Sequence, residues 1–158
     1  MKPTTYRNLS AIQKRLLDAA GEVMETAYNP YSRFYVGAAL LTKDGKIISG
    51  SNVENAAYGS TICAERLALL RANAEGHRAF RSIAVIGRGK DLDVPDIVSP
   101  CGACRQMLFE AAQVSGDELE VIMSNTAKDK VILSSTSELL PLGFGPVNLG
   151  IDISDYQK

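Results

Sequence analysis

Apolar residues at Ile12, Leu16, Ala19, Ala20, Val23 and Ala27 recur at helical spacing. Ser10 and Gln13 just ahead of them have the form of a capping box, so the pattern predicts a helix over about residues 10–27. Asn29-Pro30-Tyr31-Ser32 breaks it. Residues 36–41 and 46–50 then flank Asp44-Gly45, a tight-turn signal, and predict a β-hairpin. Ala64, Leu67, Ala68, Leu70 and Ala72 predict a second helix over about 63–75, stopped by Gly76, and the short apolar run 83–86 reads as a buried strand. Residues 88–99 form a polar loop, Pro100 opens a third helix running to about residue 112, and 119–123 is the next strand. Only seven residues separate it from the last strand, 131–133. A parallel crossover needs roughly a dozen or more, so these two strands are predicted to be antiparallel neighbours. The order implies an α/β layered domain: a mixed sheet of about five strands with helices on its faces.

The length of 158 residues suits one core, and no repeat or flexible linker divides the chain, so a single domain over 1–158 is expected. With 17 Lys+Arg against 18 Asp+Glu and no run of like charges, there is no basic footprint for a polyphosphate backbone, and nucleic acid is not an expected partner. No apolar stretch approaches the roughly 18 residues that span a bilayer. The first segment, with Lys2, Arg7, Lys14 and Arg15, lacks a continuous apolar signal core. No membrane partner and a cytoplasmic location are therefore expected. In such a reducing compartment three cysteines are free, catalytic or metal-bound rather than a disulfide framework.

Those cysteines are Cys63, at the start of the second predicted helix, and Cys101 and Cys104, in the first turn of the third. A C-x-x-C pair on one helical face is half of a zinc site, although a redox pair or two small buried residues would leave the same trace. A closed site needs a fourth ligand, and the only histidine, His77, lies fourteen residues after Cys63. Along a helix that is about 21 Å, so His77 reads instead as a solvent-facing helix-end residue. Three ligands without a fourth describe an open zinc site of the catalytic kind. Glu65, two residues after Cys63, is placed for general acid/base work, or, without a metal nearby, for stabilising a helix N-terminus. Three thiolates make the site anionic, and Arg66 together with two helix N-termini could supply the offsetting positive potential; Arg66 also reads as a plain surface residue.

The combination of C-A-E with P-C-x-x-C resembles zinc nucleobase deaminases, with Cys in place of the His of H-x-E. More specifically, the chain resembles the cytidine deaminase family, in its small, three-cysteine, homotetrameric branch. The likeness runs through N-P-Y-S-R-F-Y-V-G-A-A-L (29–40), N-V-E-N-A (52–56), I-C-A-E-R (62–66), S-P-C-G-A-C-R-Q (99–106), L-L-P (139–141) and F-G-P (144–146). It implies a three-layer α/β/α fold with one Zn²⁺ per subunit held by Cys63, Cys101 and Cys104. The implied reaction is hydrolytic deamination of cytidine, and of 2'-deoxycytidine, to uridine or deoxyuridine and ammonia, in pyrimidine salvage. Glu65 is then the proton shuttle, Asn52 and Glu54 read ribose hydroxyls, the Ala64 N–H meets the pyrimidine O2, and Phe34 packs on the nucleoside. Ala56 and Tyr58 would reach a neighbouring subunit's substrate and Phe144 would close a neighbour's pocket, which implies a homotetramer with shared active sites. Simpler roles exist for several of these: Asn52 as a strand-end turn former, Glu54 as a solvated charge, Phe34 as core, Phe144 as an anchor for the C-terminal segment. Gly59-Ser60-Thr61 departs from the usual residues before I-C-A-E, and the tail 147–158 carries no motif.

A blasticidin-S-type deaminase would share the zinc motif, but N-V-E-N matches the ribose-reading pattern of the cytidine enzymes. A polynucleotide deaminase is disfavoured by the missing basic patches. The non-enzymatic alternative is a binding module whose zinc only staples two helices; it requires a fourth protein ligand that the sequence does not offer. A thiol redox protein using Cys101 and Cys104 is the remaining alternative.

Overall fold

A computed structural model describes residues 1–157. The elements are β1 (Lys2–Thr4), α1 (Ala11–Met24), β2 (Phe34–Thr42), β3 (Ile47–Ser51), α2 (Ala64–Ala74), β4 (Phe80–Gly89), α3 (Gly102–Ser115), β5 (Glu120–Ser124), β6 (Val131–Ser135) and α4 (Thr136–Leu139). They form one mixed sheet in the order β1-β6-β5-β4-β2-β3. The expected count of about five becomes six because Lys2–Thr4 adds antiparallel to β6. β4 and β5, joined through α3, are the parallel pair, while β5 and β6 run antiparallel as their short link requires.

Alternation along the strands explains the layering. Ala38 and Leu40, Ile83 and Val85, and Val121 and Met123 face one side, where α2 and α3 cover them through Ala64, Ala68, Ala72, Leu108 and Ala112. Their neighbours Ala39 and Leu41, Ala84 and Ile86, and Ile122 face the other side, where α1 covers them through Leu16, Leu17, Ala20 and Met24. The result is the three-layer α/β/α arrangement, with helices on both faces.

Local rules fix the element ends. Ser10 and Gln13 close the capping box of α1, with Gln13 N–H donating to Ser10 Oγ and Ser10 N–H to Gln13 Oε1. The β2–β3 turn contains Gly45 at φ +91°, a conformation that costs glycine little. α2 sits close on the hairpin: a Cβ at Gly50 would lie 2.7 Å from the Ala68 nitrogen and 2.9 Å from the Ala64 carbonyl oxygen. The alanine stripe of α2 and the bare backbone of Gly50 bring helix and strand into direct main-chain contact. The third helix begins at Gly102, not Pro100, because Cys101 is its N-cap, and it runs on to Ser115 before Gly116 ends it in the left-handed conformation. His77 is not solvent-facing as expected: its side chain is 16% exposed, with Lys46 Nζ at 3.1 Å from Nε2 and Asp44 at 3.8 Å from Nδ1. Among the described residues no helix is long and apolar enough to cross a membrane.

Candidate metal centre and nucleoside pocket

Cys63 and Cys101 occupy the N-cap positions of α2 and α3, and neither side chain caps its own helix. Two helix N-termini, with their partial positive charge, therefore converge on the same sulfurs. The Cys63 and Cys101 sulfurs are 3.9 Å apart, those of Cys101 and Cys104 are 3.6 Å apart, and all three lie within 4.8 Å of one another. Tetrahedral zinc with Zn–S bonds of about 2.3 Å would set sulfurs about 3.8 Å apart, so the three thiols fit that ion. Among the described residues no fourth Cys, His, Asp or Glu joins the group, and the cluster leaves one coordination position to a non-protein ligand.

The thiols differ in their affinity for protons. Contact with Cys104, then with Cys101 and the Arg66 charge, pulls the Cys63 thiol down to about 6 against the effect of burial. The same contact pushes the Cys104 thiol far up, helped by burial and by the charges of Glu65 and Cys63. The Cys63 thiolate forms readily and the Cys104 thiolate does not, so ionising both needs the charge of a cation.

Glu65, in the first turn of α2, is 4% exposed. Burial raises its carboxyl above the usual carboxylate range and the Cys63 charge adds to the rise; its own backbone amide, Cys104 and Arg66 offset part of it. A buried carboxyl with raised proton affinity beside a metal cluster is the kind of group that carries protons. Arg66 makes no side-chain hydrogen bond among the described residues, and its influence on Cys63 and Glu65 is through charge. Ala64 is fully buried at the head of the same helix.

The segments that the sequence spreads over 28–63 meet through Val53. Its N–H donates to Ile62 O and Ile62 N–H donates back, both at 2.9 Å, and isolated bridges tie Val53 to Tyr28 as well. Asn52 and Glu54 flank Val53 and so run beside Thr61–Cys63. The Asn52 carboxamide is buried and already engaged: its Oδ1 accepts from Val36 N–H and its Nδ2 donates to Phe34 O, each at 2.9 Å. The Glu54 carboxylate accepts from the backbone N–H of Tyr31 at 2.9 Å and of Ser32 at 3.2 Å. Burial alone would raise the Glu54 carboxyl, but the hydrogen bonds from Ser32 and Tyr31 outweigh it and hold the group low, hence ionised and ready to accept further donors.

Glu54, Tyr31, Ser32, Tyr58 and Thr61 line an open pocket of about 400 Å³. Tyr31 and Tyr58 meet edge to face across it, with centroids 5.7 Å apart. Tyr31 was not singled out in the sequence beyond its place in N-P-Y-S; the contact that recruits it spans 27 residues. Phe34 opens β2, half-buried beside Gly87. Ala56 and Tyr58 stand exposed on the loop before Cys63. Phe144 is 58% exposed on the C-terminal segment, where Gln106 Nε2 donates to its carbonyl at 2.7 Å; its place is set by α3 and not by the loops carrying Asn52 and Glu54. A larger pocket of about 600 Å³, at Thr5, Tyr6 and Lys128, includes none of these residues.

Comparison with known proteins agrees with this geometry. Residues 10–115, which hold all three cysteines and Glu65, match the model of the cytidine and deoxycytidylate deaminase zinc-binding region. The chain is 46% identical over 132 residues to a cytidine deaminase of Halalkalibacterium halodurans, covering 84% of this chain and 93% of that one. It is 40% identical over 136 residues to the cytidine deaminase of Sporosarcina psychrophila, covering 86% and 93%. Among solved structures, the cytidine deaminase of Burkholderia pseudomallei superposes with a TM-score of 0.75 at 44% identity, over 86% of this chain and all of that one. The Mycobacterium tuberculosis cytidine deaminase gives 0.69 at 32% identity over 86% and 99%. On its sulfur cluster, its three-layer fold and these likenesses, the chain belongs to the cytidine deaminase family.

Proposed function

We propose that this chain is a zinc-dependent cytidine deaminase, hydrolysing cytidine, and 2'-deoxycytidine with it, to uridine or deoxyuridine and ammonia. The observation that carries the reading is the placement of buried Glu65 in the first turn of α2, two residues after Cys63 and beside Cys104, at a cluster of three thiols at zinc-ligand spacing. Zinc held by Cys63, Cys101 and Cys104 supplies a Lewis acid that makes water nucleophilic near neutral pH. Glu65 takes a proton from the attacking water and delivers it to N3 of the cytosine; it then takes the remaining proton of the new C4 hydroxyl and passes it to the amino nitrogen, which leaves as ammonia as the C4–N bond breaks and the C4–O bond becomes the carbonyl of the product. Its raised proton affinity suits it to both halves of that cycle.

Ala64 offers a first-turn N–H to the pyrimidine O2, and Phe34 packs on the nucleoside. Glu54 accepts from ribose hydroxyls in the pocket it shares with Tyr31 and Tyr58. Asn52 keeps one amide hydrogen free after bonding Phe34 O and offers it to the same sugar. Arg66 offsets the negative charge of the thiolates. The exposed Ala56, Tyr58 and Phe144 are read as reaching an adjoining copy, in a cytoplasmic homotetramer of single-domain subunits that serves pyrimidine salvage. The blasticidin and zinc-staple readings gain no support: the relatives are cytidine deaminases, and among the described residues no fourth protein ligand joins the cluster.

The test is loss of cytidine ultraviolet absorbance on conversion to uridine, with zinc-loaded protein and Glu65→Ala side by side. Turnover by the parent alone supports the reaction and the shuttle together. Absence of turnover by the zinc-replete parent overturns the cytidine assignment.

A further inference from the structure

Each of the three sulfurs needs something to hold it at ligand distance, and the fold provides a different device for each. Cys63 follows Ile62, whose N–H and carbonyl are both bonded to Val53. Cys104 is 1% exposed and fixed by packing inside α3. Cys101 is exposed and precedes the helix: its carbonyl accepts from the Arg105 backbone N–H at 2.9 Å, but on its upstream side the residue before it is Pro100, which has no N–H to donate. Upstream, the backbone is next tied down at Val98, whose N–H donates to Ser124 O on β5.

What spans the gap is the side chain of Arg105. Its Nε donates to Pro100 O at 2.8 Å, its Nη1 to Leu139 O at 3.2 Å, and its Nη2 to Ser99 Oγ at 3.5 Å. Apart from thiol–thiol contacts, these are the side-chain hydrogen bonds that reach residues 99–101 among the described residues. Leu139 is the last residue of α4, so its carbonyl lacks a partner within that helix, and the guanidinium supplies one. A planar guanidinium fork holds two carbonyls at once in a fixed relation, whereas an ammonium on a flexible stem, with freely rotating donors, holds them less rigidly.

We infer that Arg105 is a positioning residue for the metal cluster: its guanidinium locks the Pro100–Cys101 turn to the end of α4 and thereby fixes the Cys101 sulfur. The inference rests on the reading of the three cysteines as zinc ligands. Arg105 touches neither sulfur nor substrate in this account, so its effect falls on metal affinity and ligand geometry, not on nucleoside binding.

The experiment measures zinc affinity by chelator competition, the visible spectrum of the cobalt(II)-substituted protein, and the KM and kcat of zinc-saturated enzyme, for the parent, Arg105→Ala and Arg105→Lys. Arg71→Ala serves as comparison, because Arg71 also hooks a backbone carbonyl, Ser49 O at 2.6 Å, but in the last turn of α2. Expected are a loss of about 10–100-fold in zinc affinity for Arg105→Ala, of the size seen when outer-sphere support of a ligand is removed. Altered cobalt–thiolate bands, lower kcat with KM unchanged, a smaller loss for Arg105→Lys and none for Arg71→Ala complete the expectation. Parent-like zinc affinity and cobalt spectrum in Arg105→Ala, with only the unfolding temperature reduced, would overturn the inference. If Arg105→Ala does not fold, Arg105→Lys decides: weakened zinc binding supports the clamp, and parent-like binding overturns it. A parent that fails to bind zinc refutes the metal reading itself, which keeps the two failures apart.

Discussion

Val53 and Ile62 exchange both of their backbone hydrogen bonds, each at 2.9 Å, and this one antiparallel pair lays Asn52 and Glu54 alongside the approach to Cys63. The Val53 side chain is 40% exposed, so its backbone matters more than its packing. Val53→Pro removes the donor to Ile62 O and is expected to destabilise the protein by about 1–3 kcal/mol. Activity should fall more than stability accounts for, since Asn52 and Glu54, the proposed sugar contacts, lose register with Cys63. Thermal unfolding and cytidine turnover, measured on the same preparation, check this.

Glu65→Gln keeps the volume and removes the proton-carrying function. Loss of kcat by about 10²–10⁴-fold is expected, with zinc content unchanged. Metal analysis alongside steady-state kinetics separates this from collapse of the cluster. Parent-like kcat would remove Glu65 from the chemistry.

Asn52 bonds Val36 and Phe34 and is proposed to meet the sugar as well, and its variants should separate the two roles. Asn52→Ala leaves Val36 N–H and Phe34 O without their partner and is expected to cost about 1–3 kcal/mol, on top of a raised KM for cytidine. A variant with raised KM and parent stability would mean that the two strand contacts contribute nothing. Denaturant unfolding and a KM determination decide.

Removal of zinc by a chelator should abolish turnover and lower the unfolding temperature, and added zinc should restore both. The structural effect arises because an ion that binds only the folded state stabilises it by mass action, about 2.7 kcal/mol at a free concentration 100 times its Kd. Thiol titration of the metal-free protein is expected to show Cys63 reacting as a thiolate at a pH below the usual thiol range, in keeping with its value of about 6.

Far from the cysteines, Asp18 accepts from Lys128 Nζ and Tyr6 O–H, both at 2.7 Å. Burial pushes its carboxyl up, but these two partners outweigh it and hold the group below its ordinary value. A carboxyl lowered by folding contributes stability that is fully present above its unfolded pKa of about 3.9 and is lost as pH falls through the folded value. The side chain is 41% exposed, so the contribution is small, well under about 1 kcal/mol. Asp18→Asn should be slightly less stable than the parent at neutral pH, and the difference should vanish in acid; unfolding curves at both pH values test it.

The hairpin, the three long helices and the antiparallel final strands were legible in the sequence because each rests on local periodicity, a capping box or a glycine turn. β1 was not: Lys2, Pro3 and Thr4 carry no alternation, and they form a strand only by pairing with β6. Its proline sits on an edge strand, where a missing donor is tolerated. α4 escaped notice although Ser135 and Glu138 form a capping box, because four residues give no periodicity to read. The cysteines and Glu65 could be found through their spacing. The prior engagement of Asn52 and Glu54 could not, since their partners lie 16 to 23 residues away and are met only after β2 pairs with β3. Arg105 was hidden for the same reason: Leu139 is 34 residues distant.

The contact of Gly50 with the Ala64 carbonyl and the Ala68 nitrogen has a consequence for how this enzyme can change. Main chain rests on main chain there, directly behind the turn that carries Cys63 and Glu65, so no side chain at that seam can be enlarged or trimmed to retune the chemistry. Under the proposed assignment of the pocket, selection for new nucleosides, in nature or in the laboratory, would have to work from its mouth, at Tyr31, Tyr58 and Thr61, while the floor stays constant.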